Sequence, residues 1–305
     1  MSNLGVINPI QITDALLISS TAAETDYAIY NSATTYALNQ YCISTTTHRI
    51  YQSVAAGNLG NDPTNVNNQV GTPAWWLDVS PTNKWKIFDG QSSSQTVVAS
   101  PLTVVLHPGF FNAIYLGNII ADNIAVTVKD APGGNVIYSY SAAAENSQPL
   151  DYYEHFFSQF RPQMDFIAEG IEPHSTAELT VTLTSSGNVA CGLFAIGDLQ
   201  PLGQTLYGVE VTPKTYSYIN IDAFGNNQIV RRKAAKDLMV NARIDLVDAD
   251  YVTDVLTQMQ DIPAVWIASD DSSHRSARAF GLCKGKITFD NPLTCSLNLN
   301  IQGLI

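Results

Sequence analysis

Three of the four tryptophans of this chain, Trp75, Trp76 and Trp85, lie within residues 71–90. An indole ring offers a large apolar area and a flat face, so such a group serves as the core of a small module or as a stacking surface for a ligand. Adjacent residues of a strand point to opposite faces, which predicts that one of Trp75 and Trp76 is structural and the other is free to stack. Trp85, followed by Phe88, is predicted to pack this small module against its neighbour.

Titratable side chains cluster in two segments, "DYYEHFF" and "SDDSSHRSAR", where a catalytic or metal-binding site could form. The residues concerned are Asp151, Glu154, His155, Asp270, Asp271, His274 and Arg275. Two carboxylates beside a histidine could bind a metal or transfer a proton. The favoured interpretation is a strand or loop edge whose aromatic residues cover a β-core in the first segment, and a solvated loop in the second. The sequence therefore predicts no enzyme, no metal and no cofactor, with glycan cleavage by acids such as Asp151 and Glu154 as a weaker alternative.

Composition restricts the class of partner. The 305 residues are 45% apolar and only 14% charged, and the formal charge is −12 at pH 7. This predicts a folded protein that does not bind nucleic acid directly, because negative charge repels phosphate. No apolar run reaches the roughly 18 residues of a membrane span, and the N-terminus lacks a signal-peptide pattern. The four cysteines lack CxxC spacing, which favours free thiols in a protein made in the cytoplasm and leaves a Cys283–Cys295 bridge open.

The elements that position these residues are predicted to be mainly β and divided among several modules. Residues 1–30 are predicted to be an N-terminal arm with one strand, and residues 31–90 a small Trp-rich β module. Residues 91–203 contain about seven short strands separated by turns, as in a β-sandwich of the jelly-roll kind. Residues 204–305 are predicted to be α+β, a sheet with one helix. The formal charge is −11 for residues 1–203 and −1 for residues 204–305, which suggests two parts with different roles.

Two local patterns support the prediction for the C-terminal part. Val252, Val255, Leu256 and Met259 recur at helical spacing, which predicts one amphipathic helix. The turn residues of "AFGNN" (223–227) predict a hairpin between two strand-like runs. In the sandwich, "AELTVTLT" alternates strictly between apolar and polar residues, as a strand with one wet face does.

The segments "YALNQYCISTTTHRIYQSVAAGN" and "PAWW" resemble the small tryptophan-rich carbohydrate-binding modules that are attached to chitinases and cellulases. The resemblance falls on Tyr36, Tyr51, Trp75 and Trp76. It implies that Trp75, Trp76 and Tyr51 could stack on sugars, and that host-surface glycans could be partners.

Over nearly the whole chain, segments such as "TNKWKIFDG", "SPLTVVLHPG" and the closing "IQGLI" resemble tail structural proteins of tailed bacteriophages, of the distal tail or baseplate type. This resemblance implies a virion protein, assembled in the host cytoplasm, that forms a homo-oligomeric ring through residues 204–305 and contacts other tail proteins. It also implies that the C-terminal sheet and helix are related to tail-tube folds. The alternative is a receptor-binding tail adhesin whose main task is carbohydrate recognition.

Overall fold

The computed structural model describes residues 3–145, 151–157, 163–221, 225–231, 234–269 and 271–304. Strands account for 49% of the structure and helices for 10%, so the prediction of a mainly β protein is confirmed. In the described residues the strands form one nine-stranded sheet, one five-stranded sheet, one three-stranded sheet and two two-stranded sheets.

In chain order, the strands are β1 (Asn3–Pro9), β2 (Leu17–Ser20), β3 (Tyr41–Ser44), β4 (Arg49–Ser53), β5 (Trp76–Pro81), β6 (Thr96–Ala99), β7 (Leu102–Leu106), β8 (Ala113–Gly117), β9 (Asn123–Lys129), β10 (Val136–Ala143), β11 (Asp165–Ala168), β12 (Glu178–Thr184), β13 (Asn188–Cys191), β14 (Leu193–Thr205), β15 (Glu210–Thr215), β16 (Tyr218–Ile221), β17 (Asn227–Val230), β18 (Ala234–Asp245), β19 (Ala264–Ile267), β20 (Arg278–Thr288) and β21 (Thr294–Gly303). The α-helices are α1 (Val66–Val70), α2 (Tyr152–Phe157) and α3 (Ala249–Gln258), and three 3-10 helices cover Lys86–Phe88, Leu246–Asp248 and Ser272–Ala277.

Six strands of the nine-stranded sheet close into a barrel. Their order is β14, β1, β19, β20, β21 and β18, and β18 pairs again with β14 through Gln204↔Arg243 and Thr205↔Ala242. Apolar side chains fill the interior, among them the fully buried Trp266. Closure removes the free edges that an open sheet of these six strands would have.

The helix α3 packs on the barrel core, and its prediction from helical spacing is confirmed. Val252, Val255 and Met259 are buried, and Leu256 is partly buried against the same cluster. Leu256 lies so close to β20 that a Cβ built on Gly285 would be 2.7 Å from its Cδ1 atom. The absence of a side chain at Gly285 therefore lets the helix pack tightly on the strand.

The strand β14 joins the barrel to the rest of the protein. Its residues 193–197 pair with β8, and residues 197–204 pair with β1. The predicted boundary between residues 203 and 204 thus falls inside one strand. The strand β1 comes from residues 1–30, the segment that was predicted to be an N-terminal arm with one strand. Two of the six barrel strands, β1 and β14, lie outside residues 206–305. The sequence did not predict this, because barrel closure depends on long-range pairing that leaves no local pattern.

The five-stranded sheet forms the second layer of a sandwich. Its order is β10, β9, β12, β7 and β2, and it packs against β8, β11 and the first part of β14. Val126 and Leu179 from one layer share a core with Ile114 and Phe194 from the other. The alternation predicted for "AELTVTLT" is confirmed in β12, whose buried and partly exposed residues alternate along its whole length.

Residues 31–90 contain the three-stranded sheet of β3, β4 and β5 and the one short helix α1. A 3-10 helix, Lys86–Phe88, then leads into the sandwich. We call residues 26–81 the small module, because its aromatic core is separate from the three larger core clusters.

Residues 206–221 and 225–231 extend beyond the barrel, and we call the segment 206–233 the arm. β15 pairs with the beginning of β18, and β16 and β17 form a hairpin in which Tyr218 faces Val230 and Ile221 faces Asn227. The hairpin predicted across residues 223–227 is therefore confirmed.

The segment "DYYEHFF" differs from its prediction because residues 152–157 form the helix α2 instead of a strand or loop edge. Tyr152, Tyr153 and Phe156 are exposed, so the prediction that these aromatic side chains cover the β-core is wrong. Tyr152 and Phe156 contact each other with ring centroids 4.9 Å apart. Such an i, i+4 aromatic pair favours a helical turn.

Candidate functional site

Trp76 lies at the centre of the core of the small module. Only 1% of its surface is exposed, and its Nε1 donates a hydrogen bond to the carbonyl oxygen of Asn61 at 2.8 Å. The Tyr36 ring meets it edge-on at 5.0 Å, and Cys42 and Tyr51 complete the cluster. A module of this size has few residues to bury, so this aromatic cluster supplies most of its apolar core.

Two of the three residues predicted to stack on a sugar are therefore not available to a ligand. Tyr51 is 2% exposed, and its hydroxyl group lies 2.9 Å from that of Thr47. Trp76 is enclosed in the same way. Both rings belong to the module core, because β4 and β5 direct them to the same side of the three-stranded sheet.

Trp75 alone of the three keeps a partly exposed ring. It packs against the same aromatic cluster as Trp76, so the two rings do not diverge to opposite faces as predicted. The reason is that β5 begins at Trp76, and strand alternation does not apply to the residue before it. Its backbone is tied at both ends, since its N–H donates to the Asn68 carbonyl and its own carbonyl accepts from Val54 and Asn58.

The surroundings of Trp75 combine amide groups with small apolar side chains. Its partner Asn68 belongs to the helix α1, which has the sequence "VNNQV" and is capped by the side chain of Asn65. Val54 and Val70 are exposed beside these elements. A partly exposed aromatic ring is suited to a neutral ligand that can stack on its face. The side-chain amides of Asn68 and Gln69 already donate hydrogen bonds to the carbonyl oxygens of Asp62 and Pro63.

A second exposed aromatic group was missed by the sequence reasoning. Tyr27 stacks on Tyr41 with centroids 4.8 Å apart and an interplanar angle of 16°, and 45% of Tyr27 is exposed. Tyr41 is paired in register with Gln52, whose side chain donates to that of Asn39. Tyr27 lies outside the carbohydrate-module motif that contains Tyr41, so that motif could not have identified this pair.

The rings of Trp85 and Phe88 connect the small module to the sandwich. Trp85 stacks on His48 at 4.1 Å and meets Phe88 edge-on at 5.8 Å, and Phe88 stacks on Phe194 of β14. We call these four rings the clasp. The packing role that was predicted for Trp85 and Phe88 requires contacts of this kind.

His48 is held by two carboxylates at this junction. Its Nδ1 lies 3.0 Å from Glu24 and its Nε2 lies 2.9 Å from Asp14, and Glu24 also accepts a hydrogen bond from Thr82 at 2.8 Å. A carboxylate only accepts hydrogen bonds, so both contacts are satisfied at once when the imidazole carries two protons. The arrangement ties the N-terminal segment, the small module and Trp85 together.

The titratable cluster near residue 271 does not have the geometry of a catalytic triad. Asp271 lies 3.7 Å from Nδ1 of His274, and Ser269 lies 3.5 Å from the same nitrogen. A relay requires the acid and the nucleophile on opposite nitrogens of the ring. Asp270 and the side chains of Glu154 and His155 lie outside the described residues, so the corresponding predictions stay untested.

Three further structural findings bear on metal binding, disulfide bridges and membrane-spanning helices. In the described residues no group of three or more His, Cys, Asp or Glu side chains is placed to hold a metal ion. All four cysteines are free thiols, so Cys283 and Cys295 do not form the disulfide bridge that the sequence left open. Among the helices in the described ranges, none combines the length and the apolar character that crossing a membrane requires.

Comparison with known proteins does not assign the chain. It matches no family model, no curated protein and no solved structure.

Proposed function

We propose that this chain is a structural protein of a bacteriophage tail, of the distal tail or baseplate type, which forms a ring through its barrel and arm. The sequence resemblance suggests this class of protein. The self-assembly part of the proposal rests on one structural observation, the exposed apolar side chains on the hairpin of the arm. In this proposal the sandwich is jelly-roll-like, the barrel with its helix is tail-tube-like, and the small module faces outward.

The arm exposes apolar side chains that are suited to contact with another molecule. Its β16–β17 hairpin exposes Ile219, Ile221 and Ile229, which lie on one face. An isolated two-stranded hairpin is at best marginally stable in water. Exposed contiguous apolar surface marks an interaction site more often than it marks a free surface. The arm therefore favours an assembling subunit over a protein that acts alone.

The test is the mass and shape of the purified full-length protein. Mass photometry should show one closed oligomer, and negative-stain electron microscopy should show rings with a central opening. A chain that stays monomeric at all accessible concentrations would contradict the self-assembly. A closed ring without incorporation into tails would contradict the phage assignment only.

Carbohydrate recognition is the second candidate, and the observation that favours it is the partly exposed ring of Trp75 beside the amides of α1. The partners would be host-surface glycans, and the protein would act as an adhesin at the tail tip. This function is compatible with ring assembly, since the two use different parts of the chain.

Paired substitutions separate a structural from a ligand-binding role of the tryptophans. Trp76→Ala should cost roughly 3–5 kcal/mol of folding stability, as other large buried aromatic side chains do. Trp75→Ala should cost about 1–2 kcal/mol, because the ring is only partly buried. A glycan array should show binding by the wild type that Trp75→Ala removes. Wild-type protein without any glycan binding, or binding indifferent to Trp75→Ala, would refute the carbohydrate role of this ring.

A further inference from the structure

We propose that the arm of one copy binds in an apolar groove of the next copy, beside β8 and the beginning of β18, so that arm and groove form the repeating contact of the ring. This inference rests on the proposed self-assembly and names the two surfaces that carry it. The occupant of the groove is a second copy of this chain.

The protruding half of the contact is the face of the β16–β17 hairpin. Ile219 and Ile229 face each other across the hairpin, and Ile221 continues the same face. Their exposed fractions are 63%, 57% and 65%. Removing these three side chains from water would be favourable in proportion to the apolar area buried.

The receiving half is a cavity of about 520 Å³ next to the base of the arm, where the beginning of β18 forms part of its lining. We call it the groove. Its apolar lining comes from Tyr115, Met164, Leu193, Phe280 and Leu304. This size lies in the range of cavities that bind ligands or chain segments. The hairpin of the same copy does not fill it, because its isoleucines are exposed.

Charge favours the approach of an arm to the body of another copy, whereas the groove itself is lined by one acidic and one basic residue, Asp165 and Lys236. The arm, residues 206–233, contains four basic and two acidic residues, a formal charge of +2, whereas residues 1–203 carry −11. Arg231 is exposed at the end of the hairpin. A basic arm of one copy is therefore attracted to the acidic body of another.

One polar group inside the groove is a buried carboxylate oxygen. Asp165 lines the groove, and its Oδ2 atom is buried without a hydrogen-bond partner among the described residues. Lys236 lines the groove as well, but its ammonium group contacts the Arg275 carbonyl at 3.4 Å. Burial lowers the pKa of Lys236. A cationic side chain on an entering arm would satisfy the Asp165 oxygen and lower the cost of its burial.

The two halves are different surfaces, which determines the kind of assembly. A protrusion that enters a separate groove makes a head-to-tail contact, and repetition of such a contact gives a closed ring or a filament. A contact of arm with arm would instead stop at a dimer. The arrangement thus agrees with a ring and distinguishes two modes of self-association.

The experiment uses full-length protein and exposed positions. The arm variant is I219D/I229D, and the groove variant is Met164→Lys, which places a positive charge against the basic arm at a residue that is 58% exposed. The control is Val247→Asp, which places a charge on a side chain that is 92% exposed and belongs to neither surface. All should keep the wild-type unfolding midpoint. Each of the first two should raise the concentration for half-assembly by roughly 100-fold or more, whereas the control should not.

Mixing the arm variant with the groove variant tests the pairing itself. The intact arm of one variant can enter the intact groove of the other, so mass photometry should show a 1:1 complex that does not grow. Two variants that stay monomeric when mixed would overturn the assignment of the groove. A wild-type ring that both variants form normally would overturn this inference and leave the proposed function standing, whereas a monomeric wild type would overturn both.

Discussion

The carboxyl group of Asp89 gives the sharpest test of the structure at the junction of the small module and the sandwich. Asp89 follows the 3-10 helix Lys86–Phe88, and its Oδ1 atom accepts the backbone N–H of Gln91 at 2.7 Å. Its Oδ2 atom is buried without a hydrogen-bond partner among the described residues. Burial outweighs the bonds from Gln91 and Ser94 and raises the pKa of Asp89 to about 6.

This raised pKa has a definite sign in the free energy of unfolding. In the unfolded chain Asp89 ionises near its ordinary pKa of 3.8, and in the folded protein it ionises near 6. The native state therefore binds more protons between these values, and Asp89 lowers the stability progressively as the pH rises through this window. A shift of about two units corresponds to roughly 3 kcal/mol above pH 6, which is an upper bound because the residue is partly exposed.

The perturbation is Asp89→Asn, which keeps an acceptor for the Gln91 N–H and removes the buried charge. We expect the free energy of unfolding to rise by about 1–3 kcal/mol at pH 7.5 and to be nearly unchanged at about pH 2.5, where the wild-type carboxyl is almost fully protonated in both states. Urea unfolding followed by tryptophan fluorescence measures both values. Asp254→Asn, on the exposed side of α3, is the matched control and should change the free energy of unfolding only slightly, because an exposed side chain contributes little to stability.

Two results would refute this reasoning. One is a loss of stability on Asp89→Asn at pH 7.5, which would mean that the negative charge of Asp89 stabilises the folded state. The other is a gain of equal size at both pH values, because a gain that does not depend on protonation cannot come from relieving a buried carboxylate.

Two further predictions concern strand pairing and the clasp. A Cβ atom at Gly197 would overlap the carbonyl oxygen of Asn8 on the neighbouring strand, so Gly197→Ala should cost at least about 1–3 kcal/mol of stability. Gly187→Ala, where a Cβ meets no atom within 4 Å, is its control in thermal unfolding, and equal losses would contradict the pairing. His48→Asn tolerates the backbone φ of 56° at this position but loses the stack on Trp85. Limited proteolysis should then show faster cleavage between the small module and the sandwich, and an unchanged cleavage rate would argue against the clasp.

The elements that sequence reasoning predicted correctly have patterns contained within short segments. The alternation of β12, the stripe on α3 and the hairpin across residues 223–227 each depend on fewer than about 15 neighbouring residues. Barrel closure has no such pattern. It pairs residues 3–9 with residues 197–204, and two residues at the end of β14 with β18. A boundary drawn from composition therefore fell inside β14.

The candidate site was predictable in its residue types but not in its exposure. Trp76 and the tyrosines near it in the motif pack into one aromatic cluster, yet which ring reaches solvent depends on where β5 begins. Tyr51 was expected at the surface, and the pairing of β4 with two neighbours places it in the core. The stack of Tyr27 on Tyr41 joins residues from separate segments, so only the folded structure brings them together.

The strand β14 provides a path for mechanical force from the small module to the barrel, which matters if the small module attaches to a host and the barrels form the proposed ring. The clasp ends on Phe194, and Thr205 at the other end of the same strand pairs with β18 to close the barrel. Between them, the strand is hydrogen-bonded along its length to β8 or β1. A pull on the small module is therefore carried along one continuous hydrogen-bonded strand and crosses no flexible linker between sandwich and barrel. If the arm of each copy holds the next barrel, such a force would be shared around the ring instead of unfolding one subunit.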